Sequence, residues 1–248
     1  MLNLVLSTWV FAGWDIDTRR FGSALLLTLA FTAVARWLRG VSVSGSIAGA
    51  VICFLLYSAA GLGAFAALVS VFVLTWVATQ FGYQRKQTLG TAENRRGRTG
   101  SQVLANLATA TGFAVFSAFS QKAVFLAASV AALSEAAADT VSSEFGQALG
   151  DTARLITTGE VVPAGTNGGV SLIGTASGIL AAAMVGGISS LAGLVSLKGA
   201  VYCTVAGALG MTADSYLGAF LERPNLLDNN WVNFLSTLVA AGVALLLA

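Results

Sequence analysis

The chain has 248 residues, 56% of them apolar and only 10% charged, with 28 glycines, two prolines and a formal net charge of +2. Soluble domains carry about a quarter charged residues, so this inventory cannot furnish a water-facing surface, which excludes a soluble enzyme, a nucleic-acid-binding domain and a disordered tail. Two cysteines and no histidine also exclude a disulfide scaffold, a thiolate or imidazole zinc site and any mechanism with histidine as base.

What remains is a single integral membrane domain over residues 1–248, an all-α, polytopic helix bundle. A spanning helix needs about 20 mostly apolar residues. The windows free of Asp, Glu, Lys and Arg predict eight of them: 21–37, 42–59, 63–81, 102–119, 123–139, 170–187, 191–210 and 231–248. Gly61-Leu62-Gly63 divides the longest run, Lys122 separates the fourth from the fifth, and Gly186-Gly187-Ile188-Ser189-Ser190 splits the stretch that follows. Residues 1–14 are a candidate ninth helix, within an N-terminal segment 1–20 that is harder to assign. That segment lacks a basic leader, and its apolar run ends in Trp14-Asp15 rather than small residues, so it does not read as a cleaved signal peptide. Thr18-Arg19-Arg20-Phe21 is only faintly like a twin-arginine export signal.

Orientation follows from lysine and arginine. With residues 82–101 in the cytoplasm, nine basic residues fall on that side: Arg36, Arg39, Arg85, Lys86, Arg95, Arg96, Arg98, Arg154 and Arg223. Four remain opposite: Arg19, Arg20, Lys122 and Lys198. Every long polar loop is then cytoplasmic and the outer connections are short turns. Gly45-xxx-Gly49 and Gly174-xxx-Gly178 fit close packing of membrane helices, and Cys53 and Cys203 read as inert small hydrophobes. No internal repeat of the kind many transporters show is visible.

Three loops carry chemistry. In the first, Arg85, Lys86, Arg95, Arg96 and Arg98 against Glu93 leave a surplus of four positive charges. Such a cluster serves equally as an anchor on anionic lipid or as a phosphate-binding set. Arg98, Gln102 and Asn106 recur every four residues, which puts them on one helical face and suggests a polar pocket floored by that helix.

In the second loop, Glu135 and Asp139 share a face near a helix end, and Glu144 follows little more than a turn later. Ionisable groups at such depth are costly and usually functional. Carboxylates, hydroxyls and water suit magnesium rather than a soft metal, although an ion pair with Arg98 or Arg154 would also explain the acids. Further on, Gly165-Thr166-Asn167-Gly168-Gly169 precedes an uncharged helix, an arrangement in which backbone N–H groups and the helix dipole favour an anion. It is not a Walker A loop, because no Gly-Lys-Ser/Thr follows. Arg154, Thr157, Thr158 and Ser171 could add donors, and Lys86 could reach across from the first loop.

The third loop again sets an acid, Asp214, at a helix end, with Asn229, Asn230 and Asn233 leading into the last helix. Any one of these could be a helix cap. Asn230 and Asn233 together could face the same cavity as Asp214. A basic loop beside an acidic one suits a polyphosphate with its divalent ion, and the apolar bundle beneath would accept a lipid tail.

At these motifs the chain resembles a known family. RTGSQVLAN, DTVSSEFG, RLITTGEVVPAGTNGGVS, DSYLGAFLE and NNWVNF, with LRGVSVSGSIAGA upstream, are similar to the membrane family that includes plant and cyanobacterial phytyl-phosphate kinase and transmembrane protein 19 (domain of unknown function 92). The likeness covers about residues 35–248. It implies phosphorylation of an isoprenoid monophosphate, such as phytyl phosphate, to the diphosphate, with Mg2+ as cofactor and CTP or ATP as donor. By the same resemblance Asp139 and Glu144, joined by Asp214, would hold magnesium. Thr157, Thr158 and the stretch from Gly165 to Ser171 would cradle phosphates, and Arg98 would be a phosphate clamp. Gln102, Asn106, Glu135, Asn230 and Asn233 would line the substrate pocket. Phe145 departs from the smaller aliphatic of many members, a change expected to affect packing only. The expected partners are an isoprenoid lipid phosphate, a nucleoside triphosphate and membrane lipids, with a homodimer as an option, and the expected location is a bacterial inner membrane.

The absence of histidine agrees with that chemistry. A free hydroxyl usually needs a base, whereas a phosphomonoester is already largely dianionic at pH 7 because its second pKa is about 6. Neutralisation and alignment are then the main tasks. Two other readings stand beside it: a CTP-dependent lipid alcohol kinase or cytidylyltransferase on the same site, and a secondary transporter or flippase in which Glu135 and Asp139 relay protons.

Overall fold

The computed structural model describes residues 18–247. The candidate helix at 1–14 and the readings of the N-terminal segment, including the side chains of Arg19 and Arg20, lie outside the described residues. Eight α-helices follow in order: α1 (Thr18–Trp37), α2 (Val43–Gln80), α3 (Tyr83–Leu89), α4 (Gly100–Ser120), α5 (Val124–Leu149), α6 (Leu172–Leu191), α7 (Leu197–Leu217) and α8 (Asn229–Leu247). A π-helical turn, Gly218–Glu222, extends α7. Between α5 and α6 lie three short strands, β1 (Thr152–Leu155), β2 (Val161–Pro163) and β3 (Gly169–Val170).

The expected all-α membrane bundle is what forms, and each of the eight expected segments has its counterpart. Helix α2 supplies two of them. At 38 residues a straight helix would run about 57 Å, nearly twice the hydrocarbon thickness of about 30 Å. It breaks at Gly61, whose φ of 70° and ψ of −155° lie outside helical space. The two arms fold back on each other: Gly40, just before the first arm, lies against Phe72 and Trp76 near the end of the second. Among the described residues five helices are long and apolar enough to cross a membrane by length and composition, namely α2, α4, α5, α6 and α8, with 21–37 a shorter apolar helix. That is fewer than the eight to nine spans expected. The hairpin counts once, α1 is short, and α7 is diluted by Lys198, Asp214 and several hydroxyls.

Large apolar side chains such as Leu26, Leu29, Ile47, Leu180, Val201 and Leu246 cover the outside, while the interior is rich in alanine, serine and threonine, with Leu56, Val130, Leu133 and Val185 buried among them. Without a hydrophobic drive between helices in lipid, small residues that allow close approach form the contacts. Helix α5 is the centre of the bundle and carries buried Ala127, Ala128, Ala131, Ala132, Ala136, Ala137 and Ala138. Gly174 and Gly178 press on it as expected: a Cβ would stand 2.7 Å from the Ser142 carbonyl and 2.8 Å from that of Ala138. The other glycine pair behaves differently. Gly45 abuts the Arg98 carbonyl, where a Cβ would stand at 2.1 Å, and Gly49 has nothing within 4 Å.

Because α2 is a hairpin, the links after α1, α2, α5 and α7 all open on one face. The turns at Gly61, Gln121–Ala123 and 192–196 open on the other. The long loops therefore meet. The strands were not expected. They form an antiparallel sheet in the order β2-β1-β3, and the alternation of exposed Thr152 and Arg154 with buried Ala153 and Leu155 is the strand pattern that could have revealed it.

Candidate functional site

On the loop face a cavity of about 470 Å³ lies between α4, α5, the sheet, α7 and α8. Arg98 enters it by a backbone device. The Arg98 N–H donates to the Gly40 carbonyl (3.1 Å), and the Ser42 N–H donates to the Arg98 carbonyl (2.9 Å). Gly97 makes this approach feasible: its φ is +81°, and a Cβ would come within 2.5 Å of the Arg39 carbonyl and the Val41 nitrogen. The guanidinium then donates to Thr140 Oγ1 (3.2 Å) and faces the Asp139 carboxylate.

Asp139 from α5 and Asp214 from α7 meet within hydrogen-bonding reach. Two carboxylates in contact repel unless a cation or a shared proton lies between them. Both line the cavity, as does Asn233 of α8. Asp214 Oδ2 and Asn233 Oδ1 are buried without a hydrogen-bond partner. Glu222, outside the expected set, joins them from the π-helical turn. Asp214, Gly218 and Glu222 recur every four residues and all three line the cavity, a spacing that could have found it. Burial, then the charges of Asp139 and Asp228, push the Glu222 carboxyl up from its ordinary 4.5, and a hydrogen bond with the Asn167 side chain partly offsets this.

The residues Gly165, Thr166, Asn167, Gly168, Gly169 and Ser171 form the cavity's rim. The loop is anchored rather than open. The Thr166 N–H donates to Pro163 (3.2 Å), the Gly169 N–H to Thr166 (2.8 Å), and the Gly168 carbonyl accepts from Ile156 (3.0 Å). Two of the expected phosphate donors are thus committed to the turn. Gly168 is required, with φ +77° and a Cβ that would collide with the Ala219 backbone at 2.8 Å. Ser171 caps α6, its hydroxyl accepting from the Gly174 N–H at 3.1 Å.

Several expected site residues sit elsewhere, and Glu144, Gln102 and Asn106 line the cavity with polar atoms already committed to protein partners. Lys86 is fully buried. Its ammonium donates to the carbonyls of Ala78 (3.0 Å) and Thr79 (2.8 Å) at the end of α2 and pairs with Glu144. It seals a helix terminus and has no hydrogen left for a phosphate. Glu144 lines the cavity, but one oxygen pairs with Lys86 and the other accepts from Thr79 Oγ1 (3.0 Å), which removes it as a free metal ligand. Arg154 donates to the Gly159 carbonyl (3.0 Å) on the exposed side of β1, and Thr157 and Thr158 stand exposed in the turn beyond it; none of the three lines the cavity. Glu135 lies a turn deeper than Asp139, against Gly210. Asn230 is displaced by Asn229, because only 229 and 233, four apart, share the helical face toward the cavity. Gln102 completes a capping box with Thr99 and donates to Glu93 Oε2 (3.1 Å). The Asn106 amide donates to the Gln102 carbonyl (2.9 Å). Phe145 stacks on Phe81 at 4.9 Å between centroids.

Among the described residues no three Asp, Glu or Cys side chains gather closely enough to hold a metal ion by themselves. The expected set of Asp139, Glu144 and Asp214 therefore does not form a three-carboxylate cage. Asp139 and Asp214 with the unpartnered amide oxygen of Asn233 do provide hard oxygen donors of the kind Mg2+ accepts alongside water and phosphate.

Comparison with known proteins agrees with the membrane architecture. The chain is 31% identical to the chloroplastic protein VTE6 of Arabidopsis thaliana, over 91% of this chain and 67% of that one. It is 30% identical to an uncharacterized membrane protein of Methanocaldococcus jannaschii, over 94% and 98% of the two chains. A further membrane protein, from Synechocystis, is 32% identical over 77% and 76%. No solved structure matches it. The family model described as integral membrane protein DUF92 matches residues 26–241, and the chain belongs to that family.

Proposed function

We propose that the protein is a magnesium-dependent kinase of isoprenoid monophosphates, making the diphosphate from CTP or ATP at the cytoplasmic face of a membrane. The observation that carries this reading is the gathering of Arg98, Asp139, Asp214, Asn233 and the 165–169 loop around one cavity. The excess of lysine and arginine on the loop face argues that this face is cytoplasmic, in a bacterium the inner membrane.

The acceptor's phosphate oxygen attacks the nucleotide γ-phosphorus as the bond to the β–γ bridging oxygen breaks, giving prenyl diphosphate and nucleoside diphosphate. No base is needed, since the acceptor is largely dianionic at pH 7, its second pKa being about 6. Arg98 brings two phosphates together and balances their charge, which is the main catalytic demand of phosphoryl transfer. Asn167 and the free backbone donors of its loop orient the nucleotide. Asp139, Asp214 and Asn233 would hold Mg2+, which when bound neutralises the phosphate oxygens.

Purified protein with magnesium, CTP or ATP and phytyl or geranylgeranyl phosphate is expected to form the diphosphate; no product with any nucleotide overturns the reading. Product analysis separates the cytidylyltransferase alternative, which would transfer CMP and release pyrophosphate. The transport reading rests on Glu135, whose Oε1 is buried without a partner below the cavity. Substrate flux in proteoliposomes without nucleotide turnover would favour it.

A further inference from the structure

A second cavity, of about 310 Å³, opens on the same face between α1, the two arms of α2 and α4. Its depths are apolar, lined by Phe31, Leu68, Val71, Phe72 and Leu107, while Arg39, Arg95 and Arg98 stand at its mouth. It shares Glu93, Arg98, Gln102 and Asn106 with the polar cavity, so the two are separated by one wall of side chains. From Gln102 to Leu107 the lining follows α4 for about 8 Å of helical rise.

From this we infer that the apolar cavity is the acceptor site, taking the hydrocarbon tail of a single-chain lipid monophosphate and presenting its phosphate to Arg98 at the shared wall. The inference rests on the kinase reading above and adds where the acceptor binds. An amphiphile with an anionic head matches a greasy interior beneath three arginines. A volume at the low end of small-molecule pockets suits one chain and excludes the paired chains of a phospholipid. Gly49 is the specificity-determining residue. It lines the cavity and its Cβ position is open space, so the glycine serves neither a turn nor a helix contact and instead keeps the slot wide.

The test uses the full chain in lipid nanodiscs. Geranylgeranyl phosphate bearing a diazirine at the tail end is photolysed and the adducts are mapped. In parallel, KM is measured for geranylgeranyl and dimethylallyl phosphate in the wild type and in Gly49→Leu. Adducts on α1, α2 or α4, with a KM ratio of long to short acceptor at least tenfold higher in the variant, support the inference. Adducts confined to α5–α8 or to the lipid-facing surface, or an unchanged ratio in a variant that still phosphorylates, overturn it. If the tail crosslinks inside the slot, Gly49→Leu abolishes the adduct and no nucleotide is turned over, the slot stands and the kinase reading alone fails. Mapping on the wild-type chain keeps the test decisive even where the variant does not fold.

Discussion

Two polar loops lie on the same face, one over residues 82–99 and the other over 150–171, and they deploy their charges in opposite ways. The first turns inward: Lys86 vanishes beneath α2 and Arg98 is drawn into the cavity by backbone pairing with Gly40 and Ser42. The second turns outward, presenting Arg154, Thr157 and Thr158 to water while its glycine turn and the apolar Ala153, Ile156 and Ala164 reach the site. The difference teaches that a charge's place is set by the main chain that carries it. Where the backbone is pinned to a neighbouring element, a cation is brought inside; where it forms a hairpin, the same residue types stay at the tip.

The contrast can be broken most severely at Lys86. Lys86→Met leaves Glu144 buried without its counter-charge and two helix-terminal carbonyls unpaired, and breaking a buried pair costs about 3–5 kcal/mol. Denaturant unfolding in detergent should register that loss, and adding Glu144→Gln should recover part of it. Next in size is Arg98→Ala. Removing one preorganised charge-stabilising group costs about 10²–10³-fold in turnover, read as diphosphate formed, with Arg98→Lys only partly restoring it because the bidentate fork is gone.

A smaller effect is expected at Glu222, and its sign is set by burial. Its folded pKa is raised above the ordinary 4.5, so protonation favours the folded state. That contribution is complete below pH 4.5 and is lost as pH rises through the folded pKa. The Tm of the wild type should therefore fall relative to Glu222→Gln as pH rises above 4.5, the two converging under acid conditions; half-exposure keeps the change modest. The smallest effect belongs to the outward loop. Thr157→Ala and Thr158→Ala should change neither nucleotide KM by as much as twofold nor stability by more than about 0.5 kcal/mol.

Much of this architecture is legible in the amino-acid order because lipid imposes a blunt rule: a span must be apolar and about 20 residues long. The break at Gly61 and the common face of the long loops follow from that rule and from counting passes. The positions of Asp139, Asp214 and Asn233 were legible for a related reason, since polar groups near the ends of apolar helices have few places to go. What was hidden depends on helical phase and on main-chain pairing. Asn229 and Asn230 differ by one residue yet point about 100° apart, given 3.6 residues per turn. Lys86 has a long aliphatic stem that lets its charge retreat under a helix end, so composition alone classed it with the exposed basic cluster. Glu144, in turn, reads in sequence as a metal ligand or a partner of Arg98 or Arg154, because its actual partner lies 58 residues away in the chain.

The short connections opposite the loops have a practical corollary. Among the described residues beyond the start of α1, only Lys122 and Lys198 bring side-chain charge to that side. Both are exposed, whereas Lys86, the chain's other lysine, is buried, so an amine-reactive reagent that cannot cross the membrane would label lysine side chains from that side alone. A soluble ligand of the polar cavity, by contrast, must approach from the side where the loops are.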